Sequence, residues 1–379
     1  MKAPEINLAI LSPNDCKYSE TFIRAHKDIK ARNVYFFYGD TVPTTLQGWG
    51  YFGLVKDVYN KKSIKRFLKV FNLFGFLTGG LQLKEYLLYK ALKKYKVNVV
   101  LAEYGYTALS CMEICQKLGV PLITHFHGKD LFAPGEDYKR RYSRLFEISN
   151  FIVVVSKEME KYLLDLGVPA SKIVYSPCGP NAIFHQVKPK RDNLTFLSVG
   201  RFVDKKAPYF TILAINEALK VCPDIKLKMA GDGPLLNSCK NLVTALGINE
   251  SVEFLGVQTN EKIKKLHEEC FAYIQHSIRA EDGDKEGTPV GIMEAMASSL
   301  PVIATRHGGI VDVVAERESG LLCDEGDFKE MALNIIKLVK APEEAEKMGL
   351  KGREIIENNF TLQRHLDVLH ATLIRSLKD

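Results

Sequence analysis

The most informative stretch of this 379-residue sequence is Glu286-Gly-Thr-Pro-Val-Gly-Ile-Met-Glu-Ala-Met-Ala-Ser-Ser-Leu-Pro-Val-Ile-Ala-Thr305. It opens with a helix start and closes with an apolar strand over 300–304, the alternation from which parallel α/β sheets are built. Pro289 suits a first helical position, because its φ fits the helix and its missing N–H costs nothing there. The free N–H groups of such a helix start attract anions. The stretch therefore predicts an anion-binding turn within an α/β fold.

The same stretch places two carboxylates on either side of the helix start. Glu286 lies just before the helix, and Glu294 lies inside it among apolar neighbours, where a carboxylate is costly unless a group donates hydrogen bonds to it. Sugar hydroxyls would do so, which predicts a nucleotide diphosphate sugar site with phosphates on the N–H groups. The residues assigned to binding that ligand are Gly287, Thr288, Pro289, Val290 and Glu294. In the alternative interpretation, Glu286 only complements the helix dipole, and Glu294 is solvated or paired with a lysine.

Short β-branched runs alternate with helical patterns along the chain, which predicts two doubly wound, Rossmann-like α/β domains facing a cleft. The predicted strands are 6–11, 34–38, 97–102, 121–124, 151–155 and 173–175, then 194–199, 226–230, 252–255, 272–275 and 300–304. We expect a first domain over 1–185, a linker within 181–193, a second domain over 190–360 and a leucine-bearing last helix within 361–379. Ligands of open α/β sheets bind beyond the carboxyl ends of strands, and most of the motifs below follow a predicted strand.

Several motifs occur in the order and at the spacings of a known enzyme family. They are Glu-x7-Glu with its Gly-Thr-Pro and Glu-Ala-Met-Ala, Gly200-Arg201 with Lys206, Gly231-Asp-Gly-Pro234, Phe254-Leu-Gly256, Ser19-Glu-Thr-Phe22, His125-Phe-His-Gly128 with Asp130, and Ser176-Pro-Cys-Gly179. Together they resemble the retaining glycosyltransferases with the E-x7-E motif, of the family 4 type, and within them the subgroup of exopolysaccharide and O-antigen biosynthesis. Ala207 departs from the family, which usually has Gly after the motif lysine.

The resemblance implies a GT-B fold, with an acceptor-binding first domain, a nucleotide-sugar-binding second domain and a C-terminal helix that crosses back to the first. It also implies transfer with retention by front-face attack, in which the leaving phosphate takes the proton of the acceptor. No carboxylate is placed as a covalent nucleophile, so Glu286 is expected to orient the sugar.

Arg201 and Lys206 are predicted to stabilise the charge that develops on the leaving diphosphate, since both follow the strand 194–199. Lys205 is the competing lysine, and Arg201 paired with a nearby acid is the competing interpretation. Gly231 is expected to be scaffold beside the nucleotide. Gly256 and Val257 are expected to offer backbone groups to the base.

His127 follows the predicted strand 121–124 and is expected to face the cleft, where a neutral imidazole hydrogen-bonds a sugar hydroxyl or steadies developing charge. The residues considered for acceptor recognition are Ser19, Glu20, Glu103 and Asp130. His125 is expected to be buried support.

A metal cofactor is not expected. Asp282-Gly-Asp284 resembles the metal-binding D-x-D of another glycosyltransferase fold, but it lies in a loop beside other acids, and Arg201 with Lys206 already supplies positive charge. The sequence therefore predicts that the site binds no metal ion.

Composition predicts a reduced, cytoplasmic protein, since the eight cysteines are scattered and lack zinc spacing, and no signal peptide or stretch of about 20 apolar residues is present. The net charge of +7 is concentrated between Lys56 and Lys96, where eleven basic residues face two acids and alternate with Phe and Leu. This pattern suits peripheral binding to an anionic membrane surface, a phosphate-bearing acceptor, or an ordinary solvated helix. Nucleic acid is not expected, because no motif for its recognition accompanies the charge.

Three functions remain open from the sequence. The first is a transferase that adds a sugar to a lipid-linked glycan acceptor in bacterial surface polysaccharide synthesis. The second is a soluble glycosyltransferase with a small-molecule acceptor. The third is a non-catalytic partner subunit that binds a sugar nucleotide, which Arg201, Lys206, Glu286 and Glu294 argue against.

The basic segment generates a test of the membrane hypothesis. Each basic residue near an anionic leaflet contributes about 1 kcal/mol, and this attraction is screened at 1 M salt, where the Debye length is about 3 Å. We expect the protein to co-sediment with anionic vesicles at low salt and to be released at high salt. Replacement of Lys61, Lys62, Lys65 and Arg66 by Glu should abolish adsorption. A wild-type protein that stays in the supernatant at low salt would favour the small soluble acceptor.

Overall fold

The computed structural model describes residues 5–15, 21–51 and 80–378, which form two α/β lobes around two separate sheets. We call the sheet of residues 7–175 with its packed helices the first lobe, and the sheet of residues 195–323 with its packed helices the second lobe. Most central strands of both sheets are buried, as expected for parallel sheets covered by helices on both faces, whereas some strands nearer the edges are partly exposed.

The first sheet has eight strands in the order β4-β3-β2-β1-β5-β6-β7-β8. Its strands are β1 (Asn7–Leu11), β2 (Asn33–Tyr38), β3 (Thr45–Leu46), β4 (Gly50–Tyr51), β5 (Val99–Glu103), β6 (Leu122–His125), β7 (Phe151–Val154) and β8 (Ile173–Tyr175). All neighbours are parallel except for the antiparallel edge formed by β2, β3 and β4. The strand order reverses between β1 and β5, so the carboxyl ends of these strands flank a crevice.

The second sheet has six parallel strands in the order β11-β10-β9-β12-β13-β14. They are β9 (Thr195–Val199), β10 (Lys226–Ala230), β11 (Val252–Gly256), β12 (Ala272–Gln275), β13 (Val302–Thr305) and β14 (Gly320–Cys323). Here the order reverses between β9 and β12, and the loops that leave these two strands therefore meet.

The helices cover both faces of each sheet. They are α1 (Thr21–Ala25), α2 (Leu83–Lys94), α3 (Gly105–Leu118), α4 (Tyr138–Ile148), α5 (Lys157–Asp165), α6 (Pro208–Leu219), α7 (Leu236–Ala245), α8 (Asn260–Glu269), α9 (Val290–Ala297), α10 (Ile310–Val313), α11 (Phe328–Lys340), α12 (Pro342–Asn359) and α13 (Leu362–Ser376). No helix among the described residues is both long and apolar enough to span a membrane.

The last helix, α13, leaves the second lobe and packs on the first. Thr361 caps its start by accepting a hydrogen bond from the backbone N–H of Arg364 at 3.1 Å. Leu366, Leu369 and Leu373 then join the core cluster that lies under the first sheet. The predicted crossing of the C-terminal helix is thus observed, and its apolar stripe explains it.

The structure confirms the predicted pair of Rossmann-like sheets. It also contains three strands that the sequence did not predict, β3, β4 and β14. The short strands β3 and β4 carry too few residues to show a period, and β14 (Gly320–Cys323) is a four-residue apolar run buried on both sides. Pro289 lies one position before the first residue of α9 rather than inside it. The seven described cysteines are free thiols.

Candidate active site

The loops after β9 and β12 meet where the order of the second sheet reverses. The first carries Arg201 and Lys206, and the second runs through Asp284 and Glu286 to the start of α9. Gly231 follows β10 beside them. A side chain there would lie 1.9 Å from the carbonyl oxygen of Gly200, so a glycine is required for the two turns to pack. The sequence therefore brings its predicted phosphate-binding residues to one place.

Lys206 and Glu286 form a nearly buried ion pair at this place, with 2.5 Å between Nζ and Oε2. Burial would raise the pKa of Glu286, but the charges of Lys206 and Lys205 more than offset it, so its pKa is lowered. The pKa of Lys206 is lowered by burial ahead of the opposing attraction of Glu286. The pair is therefore charged, and its lysine has little contact with water.

Lys206 ends a short helical turn, Asp204–Lys206, and the residue after it is strained. Ala207 has φ of 34° and ψ of 53°, a left-handed conformation that glycine adopts more easily. Pro208 then begins α6, which carries the chain away from the cleft. Backbone strain of this kind persists where surrounding structure holds it and clusters at functional sites. Lys206 thus pairs with Glu286 although Ala207 stands where the family usually has glycine.

The neighbouring cations are arranged differently. Lys205 pairs with Asp284 at 3.0 Å, so the two adjacent lysines have separate carboxylate partners. Arg201 is exposed, and its guanidinium forms no ion pair with any residue that the structure describes. The alternative in which Arg201 pairs with a nearby acid therefore finds no support in the described part of the chain. The carboxylate of Asp284, which belongs to the D-x-D sequence, is therefore paired with Lys205.

Glu294 lies half-buried in α9, and its carboxylate has no hydrogen-bond or ion-pair partner among residues 5–15, 21–51 and 80–378. Burial raises its pKa to about 8. The nearby hydroxyl of Tyr273 is engaged elsewhere, with the carbonyl of Val199 at 3.0 Å and Gln275 at 3.1 Å. Glu294 therefore keeps hydrogen-bonding capacity for a ligand.

A second pair of side chains, His307 and Glu325, supports the backbone of Glu286. Its backbone N–H donates to Nε2 of His307 at 3.1 Å, and Nδ1 of His307 lies 2.6 Å from a carboxylate oxygen of Glu325. His307, which lies directly before Gly308 and Gly309, was not singled out from the sequence. The only signal was its position beside the two glycines, one of which has its N–H bonded to the carbonyl of Glu286 at 3.0 Å.

His127 lies on the loop after β6, nearly buried between the rings of Phe22 and Tyr104. Its Nε2 is 3.0 Å from Oε2 of Glu103, and its backbone N–H donates to Asp130 at 2.8 Å. The other oxygen of Asp130 accepts from the backbone N–H of Gly105 at 3.0 Å. Asp130 thus shapes the loop that holds His127.

The two lobes meet through backbone at this point. A side chain on Gly128 would lie 2.2 Å from the carbonyl of Lys285, and one on Gly287 would lie 3.2 Å from the backbone nitrogen of Gly128. The hydroxyl oxygen of Thr288 accepts a hydrogen bond from the backbone N–H of Cys178 at 3.1 Å. Val290 packs against the core of the first lobe. The loop before α9 therefore joins the lobes as well as facing the cleft.

Two predictions for acceptor recognition need correction. Glu103 is fully buried, and both of its oxygens face histidine rings, so it cannot contact an acceptor directly. Asp130 is buried with both oxygens bonded to backbone N–H groups. Glu103 is internal because it ends β5 beside His125 of the neighbouring strand. Asp130 is internal because the loop of His127 folds around its carboxylate. Ser19 and Glu20 lie outside the described residues.

The predicted base-binding residues lie at the outer edge of the second sheet. Val257 is 48% exposed directly after β11. Gly256 has φ of 65°, and its carbonyl accepts a hydrogen bond from the N–H of Gly231 at 2.8 Å. Its carbonyl is therefore already used within the protein. Contact of either residue with a base remains a prediction.

Comparison with known proteins identifies the family. Residues 181–355 match the model described as Glycosyl transferases group 1, and residues 60–182 match the one described as Glycosyltransferase Family 4. N-acetyl-alpha-D-glucosaminyl L-malate synthase of Bacillus anthracis is 33% identical over 277 residues, which cover 69% of each chain. The chain belongs to the group 1 glycosyltransferases.

Other members and solved structures agree with this assignment. Amylovoran biosynthesis glycosyltransferase AmsK of Erwinia amylovora is 27% identical over 289 residues, covering 71% of this glycosyltransferase and 68% of AmsK. The crystal structure of Anabaena Alr3699/HepE in complex with UDP superposes with a TM-score of 0.75 at 15% identity, covering 97% of this chain and 99% of HepE. The structure of a glycosyltransferase from Rickettsia africae gives a TM-score of 0.74 at 18% identity, covering 99% and 100%. These likenesses confirm the predicted GT-B fold.

The raised pKa of Glu294 makes its effect on stability depend on pH. The folded protein keeps this proton up to a pH of about 8, whereas the unfolded chain loses it near the ordinary glutamate pKa of 4.5. Between these values Glu294 destabilises the fold increasingly as pH rises, by at most about 1.4 kcal/mol per pH unit. We expect Glu294→Gln to gain stability relative to wild type from pH 5 to 8, measured by urea unfolding. A difference that does not change with pH would show that Glu294 titrates normally.

Proposed function

We propose that this glycosyltransferase transfers a sugar, with retention, from a nucleotide diphosphate sugar to a glycan acceptor. The observation that carries the proposal is the nearly buried Lys206–Glu286 pair beside the exposed Arg201 and beside Glu294, whose carboxylate has no partner in the described part of the chain. Two cations suited to a diphosphate and two carboxylates suited to hydroxylated rings thus surround the start of one helix. The UDP complex of HepE, which has the same fold, supports a nucleotide diphosphate ligand by analogy.

In the proposed reaction the bond between the anomeric carbon and the phosphate oxygen breaks as a bond to the acceptor hydroxyl oxygen forms. Negative charge builds on the leaving diphosphate, and Arg201 and Lys206 stabilise it most at the transition state. The hydroxyl proton of the acceptor passes to a leaving phosphate oxygen on the same face of the sugar. Glu286 orients the sugar, and Glu294 accepts hydrogen bonds from the other ring. No metal is proposed at the diphosphate, because the two cations supply its countercharge.

A lipid-linked acceptor in bacterial surface polysaccharide synthesis is the acceptor class we propose. It is supported by the relation to AmsK, whose name assigns it to amylovoran biosynthesis, and by the basic, aromatic sequence between Lys56 and Lys96. Most of that segment, residues 56–79, lies outside the described residues. We place the protein at the inner face of the cytoplasmic membrane, held peripherally by this segment.

A small-molecule acceptor is the second candidate, and one observation favours it. The relative with 33% identity is named as a synthase that joins an N-acetylglucosaminyl group to L-malate. Such an enzyme needs no membrane surface, so the vesicle experiment separates the two acceptor classes.

Arg201 and Lys206 test the proposed chemistry. We expect Arg201→Ala and Lys206→Ala to lower turnover of the donor by roughly 100- to 1,000-fold, the effect of removing one preorganised charge-stabilising group. Donor hydrolysis without acceptor is the simplest assay, over a panel of nucleotide sugars. Lys205→Ala is the matched control, because Lys205 is adjacent but pairs with Asp284. Wild-type turnover by the Lys206 variant, or greater loss in the Lys205 variant, would contradict the assigned roles.

A further inference from the structure

Beneath His127 the first lobe buries a cluster of histidines around one carboxylate. Nδ1 of His26 lies 2.6 Å from Oε1 of Glu103, and Nε2 of His127 lies 3.0 Å from Oε2. Nδ1 of His125 lies 3.1 Å from the same Oε2. Nε2 of His26 continues to Nε2 of His365 at 2.9 Å. Glu103 is therefore the centre of a chain that runs from the cleft to the last helix.

The ionisation state of Glu103 determines which ring nitrogens of His26 and His127 carry hydrogen. Burial would raise the pKa of this carboxyl, but His26, His125 and the hydrogen bonds of His125 and His127 lower it well below its ordinary value. An ionised carboxylate accepts hydrogen bonds and donates none. Nδ1 of His26 and Nε2 of His127 must therefore both carry hydrogen.

His365 completes the chain. Burial lowers its pKa well below its ordinary value, so its ring is neutral and carries a single N–H. With hydrogen on Nε2, it donates to Nε2 of His26 at 2.9 Å, and its Nδ1 accepts from the hydroxyl of Ser176 at 2.7 Å. Every donor along the chain from His127 through His26 to Ser176 then meets an acceptor, whereas the ring nitrogens of His125 have no well-aligned hydrogen-bond partner among the described residues. If both ring nitrogens of His26 carry hydrogen instead, Nε2 of His26 donates to Nε2 of His365, and Nδ1 of His365 donates to Ser176. The hydrogen on Nε2 of His127 stays in place in either case.

The last helix holds His365 in position. Leu366, Leu369 and Leu373 anchor α13 to the first sheet. Leu362, the first residue of α13, passes close to Gly179. A side chain at position 179 would lie 2.1 Å from the backbone nitrogen of Leu362. His365 therefore reaches His26 only because the chain crosses back from the second lobe.

We propose that Glu103, His26 and His365 are positioning residues that hold His127 as the tautomer with hydrogen on Nε2. This inference rests on the proposed function, since it gives Nδ1 of His127 the role of accepting a hydrogen bond from a sugar hydroxyl. The C-terminal helix thereby belongs to the active site, although it touches no ligand itself. Without His365, Nε2 of His26 is buried with no partner, so the His26 ring no longer fixes the orientation of the Glu103 carboxylate. The hydrogen bond from Nε2 of His127 to that carboxylate is then weakened. The imidazole exchanges tautomers, and Nδ1 is an acceptor for only part of the time.

The experiment compares two substitutions of His365. Leucine removes the hydrogen bond to His26, whereas the side-chain amide of glutamine places an N–H donor near the position of Nε2. We expect His365→Leu to lower kcat for donor hydrolysis by about 10- to 100-fold, the range found for outer partners of metal-bound histidines. KM for the donor should change little, because the diphosphate contacts belong to the second lobe. His365→Gln should recover most of the rate.

The tautomer itself is read from nitrogen-15 correlation spectra of the imidazole rings. Wild type should show His127 protonated at Nε2 only, and His365→Leu should show a mixture. Glu103→Gln provides a second variant, because an amide offers one accepting oxygen and one donating nitrogen, so one of the two imidazoles must change its tautomer. These spectra need no donor, so they test the positioning role even if no nucleotide sugar is turned over and the proposed function fails.

Three results would overturn the inference. The first is hydrogen on Nδ1 of His127 in the wild-type protein. The second is an equal loss of kcat in His365→Leu and in His370→Leu, a matched change on the same helix outside the cluster. The third is one tightly bound transition-metal ion per chain in metal analysis, since His125, Cys178 and His365 lie close enough to bind a metal, which would occupy the nitrogens that the hydrogen-bonded chain requires.

Discussion

The ion pair between Lys206 and Glu286 is the interaction on which the site depends. Both groups are nearly buried, and a buried charge is tolerated only when it has a partner. Removal of either partner leaves the other charge uncompensated, so the loops after β9 and β12 must stay together. A phosphate group that enters the cleft offers Lys206 a second anion. The same contact thus holds the two loops together and, in the proposed function, places Lys206 where the diphosphate binds.

Close backbone contacts transmit this arrangement to the first lobe. The loop that carries Glu286 continues through Gly287, whose backbone lies against Gly128 directly after His127. Side chains at these positions would separate the lobes by ångströms, which would also separate the imidazole of His127 from Arg201 and Lys206. The interface therefore sets the distance between the two halves of the site. Thr288 strengthens this interface by accepting a hydrogen bond from the backbone N–H of Cys178, in addition to its predicted role in ligand binding.

Local patterns were enough to predict most strands but not the support of the site. The strands Lys226–Ala230 and Ala272–Gln275 have the predicted bounds, because each ends at a turn or a loop that the sequence marks. The strand Gly320–Cys323 was missed, since four buried residues show no period. Spacing and family resemblance were enough to predict that Lys206 and Glu286 lie at one place, and the structure pairs their side chains. His26 and His365 were not, because their contact joins positions 339 residues apart, and no local pattern reports on such a pair. For the same reason Glu103 was expected at the surface of the cleft.

The competition between Glu286 and phosphate for Lys206 is the central claim, and calorimetric titration tests it most directly. UDP and GDP are titrated separately into wild type, Lys206→Ala and Glu286→Gln. Loss of the lysine should weaken binding of the preferred nucleotide by on the order of 10-fold or more, because a charge-assisted hydrogen bond is lost. Loss of the carboxylate charge should leave binding as tight or tighter while abolishing sugar transfer. Equal weakening in both variants, or no binding of either nucleotide to wild type, would contradict this account.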